Sequence, residues 1–269
     1  MPTIEQRQAY EEQGFFIVDD LVDADTLIQL REAARRAKEK VRIGQVDLFT
    51  HWADKNAREP WAIRGLLAPE FDEPSFARHL LSQNIMDYVH FFIGYELVLG
   101  AILIFTNPLH SDWGFGWHRD LGGQERDGTE AQELEILNKP QTGLRWHLAL
   151  VDDACLQIVP GSQKRYRTEH ERGCLLETRN EDIPGQHTIE LKAGEAVFWN
   201  GNSIHRGIYK KDSERLTISA SWSKYIQDLP LSKVDSRLEW RLNSEVRANL
   251  PLELLPYYDR WHKFQLPNS

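Results

Sequence analysis

Five short apolar stretches decide the fold of this chain: LRWHLALV (144–151), LQIV (156–159), HTIEL (187–191), EAVFW (195–199) and RLTISASW (215–222). They are broken by glycine, proline, asparagine and aspartate, and none is as long as a typical buried helix. Short strands separated by turn residues at this spacing favour an antiparallel sandwich or barrel over alternating helices and parallel strands.

The N-terminal region ahead of these strands has the signals of two helices with a strand between them. Thr3 is placed to cap a first helix, and Gly14 is available to end it. The run FFIV at 15–18 is typical of a buried strand. Asp23 or Asp25 can then cap a second helix whose leucine and alanine residues fall on one face.

The rest of the chain shows no repeat and no linker. Residues 44–72 carry little periodicity, and we interpret them as loop and broken helix. Residues 229–269 are rich in proline and tryptophan, so we expect them to dock on the body or on a partner chain. We expect one domain over 1–269, with a helical N-terminal part at about 1–94, a β core at about 95–225 and an aromatic C-terminal tail at 229–269.

Composition excludes several classes of protein. The 269 residues include 32 Lys and Arg against 41 Asp and Glu, which gives a formal net charge of −9. An acidic chain without a basic run is a poor candidate for binding nucleic acid or an anionic membrane surface. It has no apolar run long enough to span a membrane, its N-terminus is polar, and its two cysteines form no disulfide framework. We expect a cytoplasmic protein that acts on a small molecule; the sequence does not predict its oligomeric state.

Histidine and carboxylate residues in the strand-rich half are the candidates for chemistry. Two His-x-Asp pairs occur, His110 with Asp112 and His118 with Asp120, and about 1.5 His-x-acid pairs are expected by chance. On a strand, residues two apart share a face, so either pair can reach one metal ion. His205, after the EAVFW strand, is a candidate third ligand. Two imidazoles and one carboxylate form the facial triad of non-haem Fe(II) oxygenases.

Arg215 is the candidate anchor for a 2-oxo acid at such a centre. The open coordination positions of a facial triad can chelate a 2-oxo acid, whose far carboxylate then needs a cation. Arginine suits that role because its planar fork binds a carboxylate in a bidentate manner. The alternative is that Arg215 is a solvated partner of Glu214 or Asp212.

Several linked motifs resemble the phytanoyl-CoA dioxygenase family of Fe(II)- and 2-oxoglutarate-dependent oxygenases. The matching segments, which follow the N-terminal EEQGFFIVDDLVDADTLIQLREA, are GWHRD (116–120), RWHLALVDD (145–153), LQIVPGSQK (156–164) and LKAGEAVFWNGNSIHRG (191–207). The resemblance implies a mainly β fold with flanking helices: a double-stranded β-helix (jelly-roll, cupin-like) with the N-terminal helices packed on the sheet.

Carried over residue by residue, the resemblance implies that His118, Asp120 and His205 bind Fe(II). It implies that Arg215 anchors 2-oxoglutarate and that Trp146, on a strand lining the co-substrate pocket, contributes to binding it. Gly207 stands where relatives often place a serine that contacts the co-substrate, so Ser203, Thr217 or water would supply that contact instead. Gln163 replaces the usual histidine of the Pro-Gly-Ser-His turn, which is not a metal ligand.

The resemblance further implies oxidation of a C–H bond by Fe(II), 2-oxoglutarate and O2, with release of succinate and CO2. Because Asp120 is present, where halogenating relatives have alanine or glycine, hydroxylation or a related oxidation is favoured. Three alternatives stay open: a cupin-like enzyme acting without 2-oxoglutarate, a catalytically silent sensor, and an interaction module built on the 229–269 tail. We expect residues 121–143 to form a lid or loop over the site.

Overall fold

The computed structural model describes residues 1–108, 110–120 and 127–266. The described α-helices are α1 Ile4–Gln13, α2 Ala24–Arg42, α3 Ser75–Leu81, α4 Gln83–Ile93, α5 Glu130–Leu137, α6 Glu169–Leu176, α7 Ser244–Asn249 and α8 Leu255–His262. Short 3-10 helices occupy Pro69–Phe71, Ser162–Lys164, Ser236–Leu242 and Leu252–Leu254. The strands are β1 Phe15–Val18, β2 Thr50–Asp54, β3 Glu59–Ile63, β4 Leu97–Val98, β5 Ile102–Thr106, β6 Trp113–His118, β7 Gly143–Ala149, β8 Leu156–Ile158, β9 His187–Thr188, β10 Ala196–Trp199, β11 His205–Tyr209, β12 Leu216–Lys224, β13 Ser232–Lys233 and β14 Gln265–Leu266.

Two antiparallel sheets form the body. The larger sheet has the order β1-β10-β7-β12-β5-β3-β2, with β4 paired to β12, and the smaller one has the order β6-β11-β8-β9. Apart from the pairs β2–β3 and β8–β9, neighbours in the sheets are not consecutive in the chain, as in a jelly roll, where strands alternate between the two sheets. The expected mainly β, jelly-roll architecture with flanking helices is therefore confirmed.

The two faces of the larger sheet serve different purposes. Along β12, alternate residues enter the large core beneath the helices: Leu216, Ile218, Ala220 and Trp222. A second, smaller core lies between the sheets and combines Phe15, Val197 and Trp199 with residues of the smaller sheet such as Leu156 and Ile158. Because side chains alternate along a strand, the residues between the helix-facing ones point toward the smaller sheet.

The N-terminal expectations are confirmed. Thr3 and Gln6 form a capping box at the start of α1, and Gly14 ends that helix with a φ of 89°. Asp23, rather than Asp25, caps α2 by accepting a hydrogen bond from the Thr26 N–H at 2.7 Å. The buried face of α2 carries the expected residues Leu30, Ala33, Ala34 and Ala37.

Two segments differ from the expectation. Residues 44–72 contain the β2–β3 hairpin instead of loop and broken helix, so the part before residue 95 is not only helical. The hairpin pairs with β5, and it therefore extends the larger sheet. Within 121–143, residues 121–126 lie outside the described residues, while α5 is a helix with a Thr129–Gln132 capping box. The lid role of this segment stays a prediction.

The C-terminal tail docks on the body, as expected. The large core beneath the helices also includes residues of the tail: Val234, Val246, Leu250, Leu254, Tyr258 and Trp261. Arg241 is 1% exposed and donates hydrogen bonds to the carbonyls of Leu99 and Gly100, which ties the tail to the start of β5. Among the helices of the described residues, none is both long and apolar enough to cross a bilayer.

Candidate metal centre and active-site cavity

Three side chains that could bind one metal ion converge where β6 and β11 pair. His118 is the last residue of β6, His205 is the first residue of β11, and the two are direct cross-strand partners. Asp120 follows two residues later, and its N–H donates to the carbonyl of Gly201 at 2.9 Å. One ligand atom of each of the three residues lies within 4.8 Å of the others. Such a set of donors can surround one ion.

Both imidazoles are held with Nε2 toward this centre. Nδ1 of His118 lies 2.9 Å from the Gly116 carbonyl, and Nδ1 of His205 lies 2.8 Å from the Ser203 carbonyl. Because a carbonyl only accepts, each Nδ1 carries a hydrogen, and in a neutral ring the Nε2 atom then presents a lone pair. Burial, with His118 adding to it, lowers the pKa of His205 to about 3. His205 is therefore neutral at physiological pH and needs to lose no proton to bind a metal.

Asp120 is held by Arg145 of β7. Arg145 Nη1 donates to Asp120 Oδ2, while Oδ1 lies 3.8 Å from His118 Nε2. Desolvation raises the pKa of Asp120, but the charge of Arg145 and the nearby imidazoles outweigh it, and the pKa falls to about 2. A Cβ at Gly201 would lie 2.8 Å from Asp120 Oδ2 and 2.9 Å from the Arg145 guanidinium, so only glycine leaves room for this pair.

Arg215 lies at the inner end of the cavity and is 3% exposed. Its Nε donates to Asp153 Oδ2 at 3.1 Å, and its guanidinium stacks on Phe105 and Tyr209 at 4.8 and 4.5 Å from the ring centres. Burial opposes its charge, but Asp153 raises its pKa above the ordinary value, so the guanidinium stays charged. Glu214 instead pairs with Arg35. The solvated pairing of Arg215 with Glu214 or Asp212 is therefore not found.

A cavity of about 670 Å³ joins the triad to Arg215. Its wall includes the aromatic residues Trp61, Phe105, Phe115, Trp199 and Tyr209. Strand β6 contains a bulge, since Phe115 pairs with Gly207 and His118 pairs with His205. The extra residue brings Phe115 and His118 to the same face, toward the cavity, although they are three residues apart. The cavity is large enough for a co-substrate and a small organic molecule together.

The structure corrects the expectation for Trp146. This side chain is fully buried in the large core beneath the helices, where its indole N–H donates to His79 at 3.1 Å. Its neighbours on β7, Arg145 and His147, line the cavity instead. The reason is the alternation of a strand that is buried on both faces: Trp146 belongs to the face that the helices cover.

Two arginines next to the triad in sequence turn their guanidinium groups elsewhere. Arg119 donates to the carbonyls of Ser162 and Asn202 and approaches Glu133 of α5. Arg206 packs on Trp117, on the outer face of the smaller sheet, where it also donates to Asp182. Neither charge is therefore available to a substrate bound beside the triad.

Tyr209 explains why residue 207 is a glycine, and its hydroxyl takes the place of the serine that relatives often have at this position. A Cβ at Gly207 would lie 3.0 Å from the Tyr209 ring, which therefore occupies the space of a larger residue at 207. The Tyr209 hydroxyl lies beside Arg215, and burial raises its pKa to about 12. Thr217 donates its hydroxyl hydrogen to Asp153, and Ser203 is buried against Gly14. Tyr209, rather than Ser203 or Thr217, thus presents a hydroxyl to the cavity.

Among the cavity residues that sequence reasoning missed are the polar side chains of Arg64, His147, Tyr209 and Arg237. Alternation along a strand was a usable signal for two of them, since His147 lies two residues from Arg145 and Tyr209 four from His205. Arg64 and Arg237 had no such signal. The alternative pair, His110 and Asp112, lies apart from the triad, where His110 contacts Glu59 and Asp112 contacts Lys210.

Comparison with known proteins gives a family match and a fold match. Residues 10–208 match the family model described as phytanoyl-CoA dioxygenase (PhyH). No curated protein matches the sequence.

Solved structures with a similar fold include three proteins. EctD from S. alaskensis, crystallised with bound Fe, has 18% identity and a TM-score of 0.64, and the match covers 83% of this chain and 77% of that one. AviO1 from Streptomyces viridochromogenes has 17% identity and a TM-score of 0.59, over 86% of this chain and 100% of that one. The α-ketoglutarate-dependent epimerase SnoN from nogalamycin biosynthesis has 18% identity and a TM-score of 0.57, over 86% and 89%.

Proposed function

The chain belongs to the phytanoyl-CoA dioxygenase (PhyH) family, and from this premise we propose that it hydroxylates a C–H bond of a small organic substrate. Membership of the family makes it a non-haem oxygenase that depends on Fe(II) and 2-oxoglutarate. The observation that carries the proposal is the convergence of His118, Asp120 and His205, with ligand atoms within 4.8 Å, on a cavity that also contains the buried Arg215.

The donor set fits Fe(II), and we assign His118, Asp120 and His205 as its ligands. Two imidazole Nε2 atoms and one ionised carboxylate oxygen make the facial triad that leaves coordination positions open. When bound, Fe(II) with 2-oxoglutarate and O2 supplies the oxidising power, and succinate and CO2 are the co-products. The protein prepares the ligands: the carbonyls of Gly116 and Ser203 orient the imidazoles, so little rearrangement is needed.

Arg215 and Tyr209 would hold the far carboxylate of 2-oxoglutarate. Asp153 occupies Nε of Arg215, which leaves the Nη edge and the adjacent Tyr209 hydroxyl as donors toward the cavity. Phe105 packs on the guanidinium and excludes water from it. In such a low-dielectric setting, a charge-assisted hydrogen bond is stronger than in water.

Arg145 keeps Asp120 ionised and fixes its orientation. By binding Oδ2 it turns Oδ1 toward the histidines, and the pKa of about 2 keeps the carboxylate charged at every pH at which the protein is expected to act. Aromatic side chains around the triad limit the entry of bulk water to the metal centre.

Anaerobic titration with Fe(II) and 2-oxoglutarate tests this proposal. The wild-type protein should develop the weak visible charge-transfer band of an Fe(II)–2-oxoglutarate complex. His118→Ala should lose the band together with iron, whereas Arg215→Gln should retain iron and need far more 2-oxoglutarate. Tyr209→Phe, which keeps the ring and removes one hydrogen bond, should weaken 2-oxoglutarate binding by about two- to tenfold.

His110→Ala is the matched control, because His110 belongs to the other His-x-Asp pair and lies away from the triad; it should behave as wild type. Circular dichroism of each variant checks that it is folded. Bound iron with no band in the wild type would contradict the proposal and favour a cupin-like enzyme or sensor that works without 2-oxoglutarate. Full activity after loss of the metal would favour an interaction module.

A further inference from the structure

The outer part of the active-site cavity carries an excess of positive charge. Arg64, just after β3, Arg145 on β7 and Arg237 in the C-terminal tail all line it, against the carboxylates of Asp120 and Asp235. This concentration of arginine is notable in a chain with a net charge of −9. A cation-rich cleft with apolar walls attracts anions.

Among the cavity arginines, Arg64 is the one with no carboxylate at ion-pair distance in the described part of the chain, although the charges of Asp235 and Asp120 act on it from further away. Arg145 contacts Asp120, and Arg237 contacts both carboxylate oxygens of Asp235. At the inner end Arg215 is likewise matched by Asp153, and the two charges of Fe(II) are offset by those of 2-oxoglutarate.

The partner of Arg64 is the neutral imidazole of His51, which accepts from Arg64 Nε at Nε2 over 2.9 Å. Burial and the adjacent Arg64 lower the pKa of His51 to about 4, so His51 is uncharged near neutral pH and neither neutralises nor adds to the positive charge of Arg64. Burial and the charge of Arg237 lower the pKa of Arg64 to about 10. No carboxylate pairs with Arg64 among residues 1–108, 110–120 and 127–266.

An apolar wall accompanies these arginines. Trp61 lies against Trp113 with ring centres 4.6 Å apart and against Phe115 at 5.6 Å. Phe115 in turn contacts the His118 ring edge to face at 4.6 Å, so the wall leads to the metal centre. Leu238, one residue after Arg237, adds an apolar surface from the tail.

We propose that the substrate carries an anionic group, a carboxylate or a phosphate, that binds between Arg64 and Arg237, with an apolar body against Trp61 and Phe115. This assignment rests on the proposed function, since it takes the triad as the reacting centre. The anion supplies the ion-pair partner that Arg64 lacks among the described residues, and the Nη groups of Arg64 together with Nη1 of Arg237 provide the donors. The apolar body is then directed along the aromatic wall to the triad.

Matched probes test the proposal: phenyl phosphate, benzoate and the neutral benzyl alcohol. Each is titrated calorimetrically into the protein loaded anaerobically with Fe(II) and saturating 2-oxoglutarate, so that Arg215 is already occupied. At least one anion should bind about tenfold or more tightly than benzyl alcohol, and its affinity should fall with added salt. Comparison of phenyl phosphate with benzoate identifies the preferred group.

Three variants locate the binding. Arg64→Gln should weaken binding of the anion by about tenfold or more and leave benzyl alcohol unchanged. Arg237→Gln should weaken it at least as much, because Asp235 is then left to repel the anion. Arg247→Gln is the matched control: Arg247 lies in the same tail and binds both oxygens of Asp259, but at the surface. It should bind as wild type does.

The outcomes separate this proposal from the proposed function. Loss of 2-oxoglutarate binding in Arg215→Gln with retained anion binding supports two distinct sites. Anions that bind no better than benzyl alcohol, or that bind equally well to Arg64→Gln, would overturn the anion site while leaving the oxygenase assignment intact. If Arg64→Gln instead loses 2-oxoglutarate, Arg64 serves the co-substrate and the proposal is wrong. If the protein does not bind Fe(II) or 2-oxoglutarate, the same titrations on the protein without them still show whether the anionic probes bind at Arg64 and Arg237.

Discussion

Asp153→Asn keeps the size of a buried side chain but removes the charge that neutralises Arg215. The carboxylate of Asp153 is 8% exposed; it accepts from Arg215 Nε at 3.1 Å, from the Thr217 hydroxyl and from the Cys155 N–H at 2.8 Å. Asparagine can keep some of these hydrogen bonds, but it leaves a buried guanidinium without its counter-charge. We expect a large loss of stability.

The size of this loss follows from the pKa of Asp153. Burial raises that pKa, but Arg215 and the hydrogen bonds outweigh it and lower it from 3.8 to about 2. At about 1.36 kcal/mol per pKa unit, the charged form adds about 2.4 kcal/mol to the free energy of unfolding at pH 7. Removing one partner of a buried pair typically costs about 3–5 kcal/mol, so we expect a loss of about 2–4 kcal/mol.

The pH dependence distinguishes a charge effect from a packing effect. Because the folded pKa is lowered, the stabilisation is complete above pH 3.8 and is lost as the pH falls through about 2. The difference between wild type and Asp153→Asn should therefore fall to about half its pH 7 value near pH 3. Urea unfolding, followed by tryptophan fluorescence at pH 7, 5 and 3, measures this difference.

Asp152→Asn is the control for this series. Asp152 is the next residue, but its side chain is 64% exposed and pairs with Lys192 at the surface, so its replacement should change the free energy of unfolding little. A loss in Asp153→Asn that is the same at pH 7 and pH 3 would refute the reasoning, because it would then arise from packing or hydrogen bonding and not from charge.

Two further substitutions test the assignment of buried residues. Trp146→Phe should lower the free energy of unfolding by about 2 kcal/mol, because it opens a cavity and leaves the His79 acceptor unpaired. Its affinity for 2-oxoglutarate should be unchanged. Weaker 2-oxoglutarate binding with unchanged stability would instead show that Trp146 belongs to the co-substrate pocket. Arg241→Met should release the carbonyls of Leu99 and Gly100 and loosen the tail. Limited proteolysis should then cut the tail faster than in wild type, and equal cutting rates would contradict the docking role of Arg241.

Local signals in the sequence were sufficient for much of the fold. Thr3, Gly14 and Asp23 act at short range, through hydrogen bonds to neighbouring N–H groups or through a left-handed backbone, so their roles do not depend on the rest of the molecule. The β2–β3 hairpin was missed because its strands contain Pro60 and a bulged register, which hide the alternation of a strand. The Thr129–Gln132 capping box of α5 was a usable signal that polar composition obscured.

The residues of the triad could also be proposed without the structure. His118 and Asp120 are close in the chain, and the segment ending at His205 follows a clear strand and turn, so sequence spacing carried much of their geometry. The structure adds that β6 and β11 pair with His118 opposite His205, and that Arg145 holds Asp120. The sheet pairing brings together ligands that are far apart in the chain.

The sequence was enough to predict most of the antiparallel strands and the N-terminal helix ends, because short-range spacing and strand alternation encode them. The family, and the choice of His118 and Asp120 over His110 and Asp112, came from the resemblance of several linked motifs. Three placements depend on the tertiary structure: Trp146 faces the helices, Arg119 and Arg206 turn away from the triad, and Arg64 and Arg237 line the cavity. Alternation shows which residues share a face of β7, but both faces of this strand are buried. Which face lines the cavity depends on how the helices and the C-terminal tail pack on the sheet, and those contacts join residues far apart in the chain.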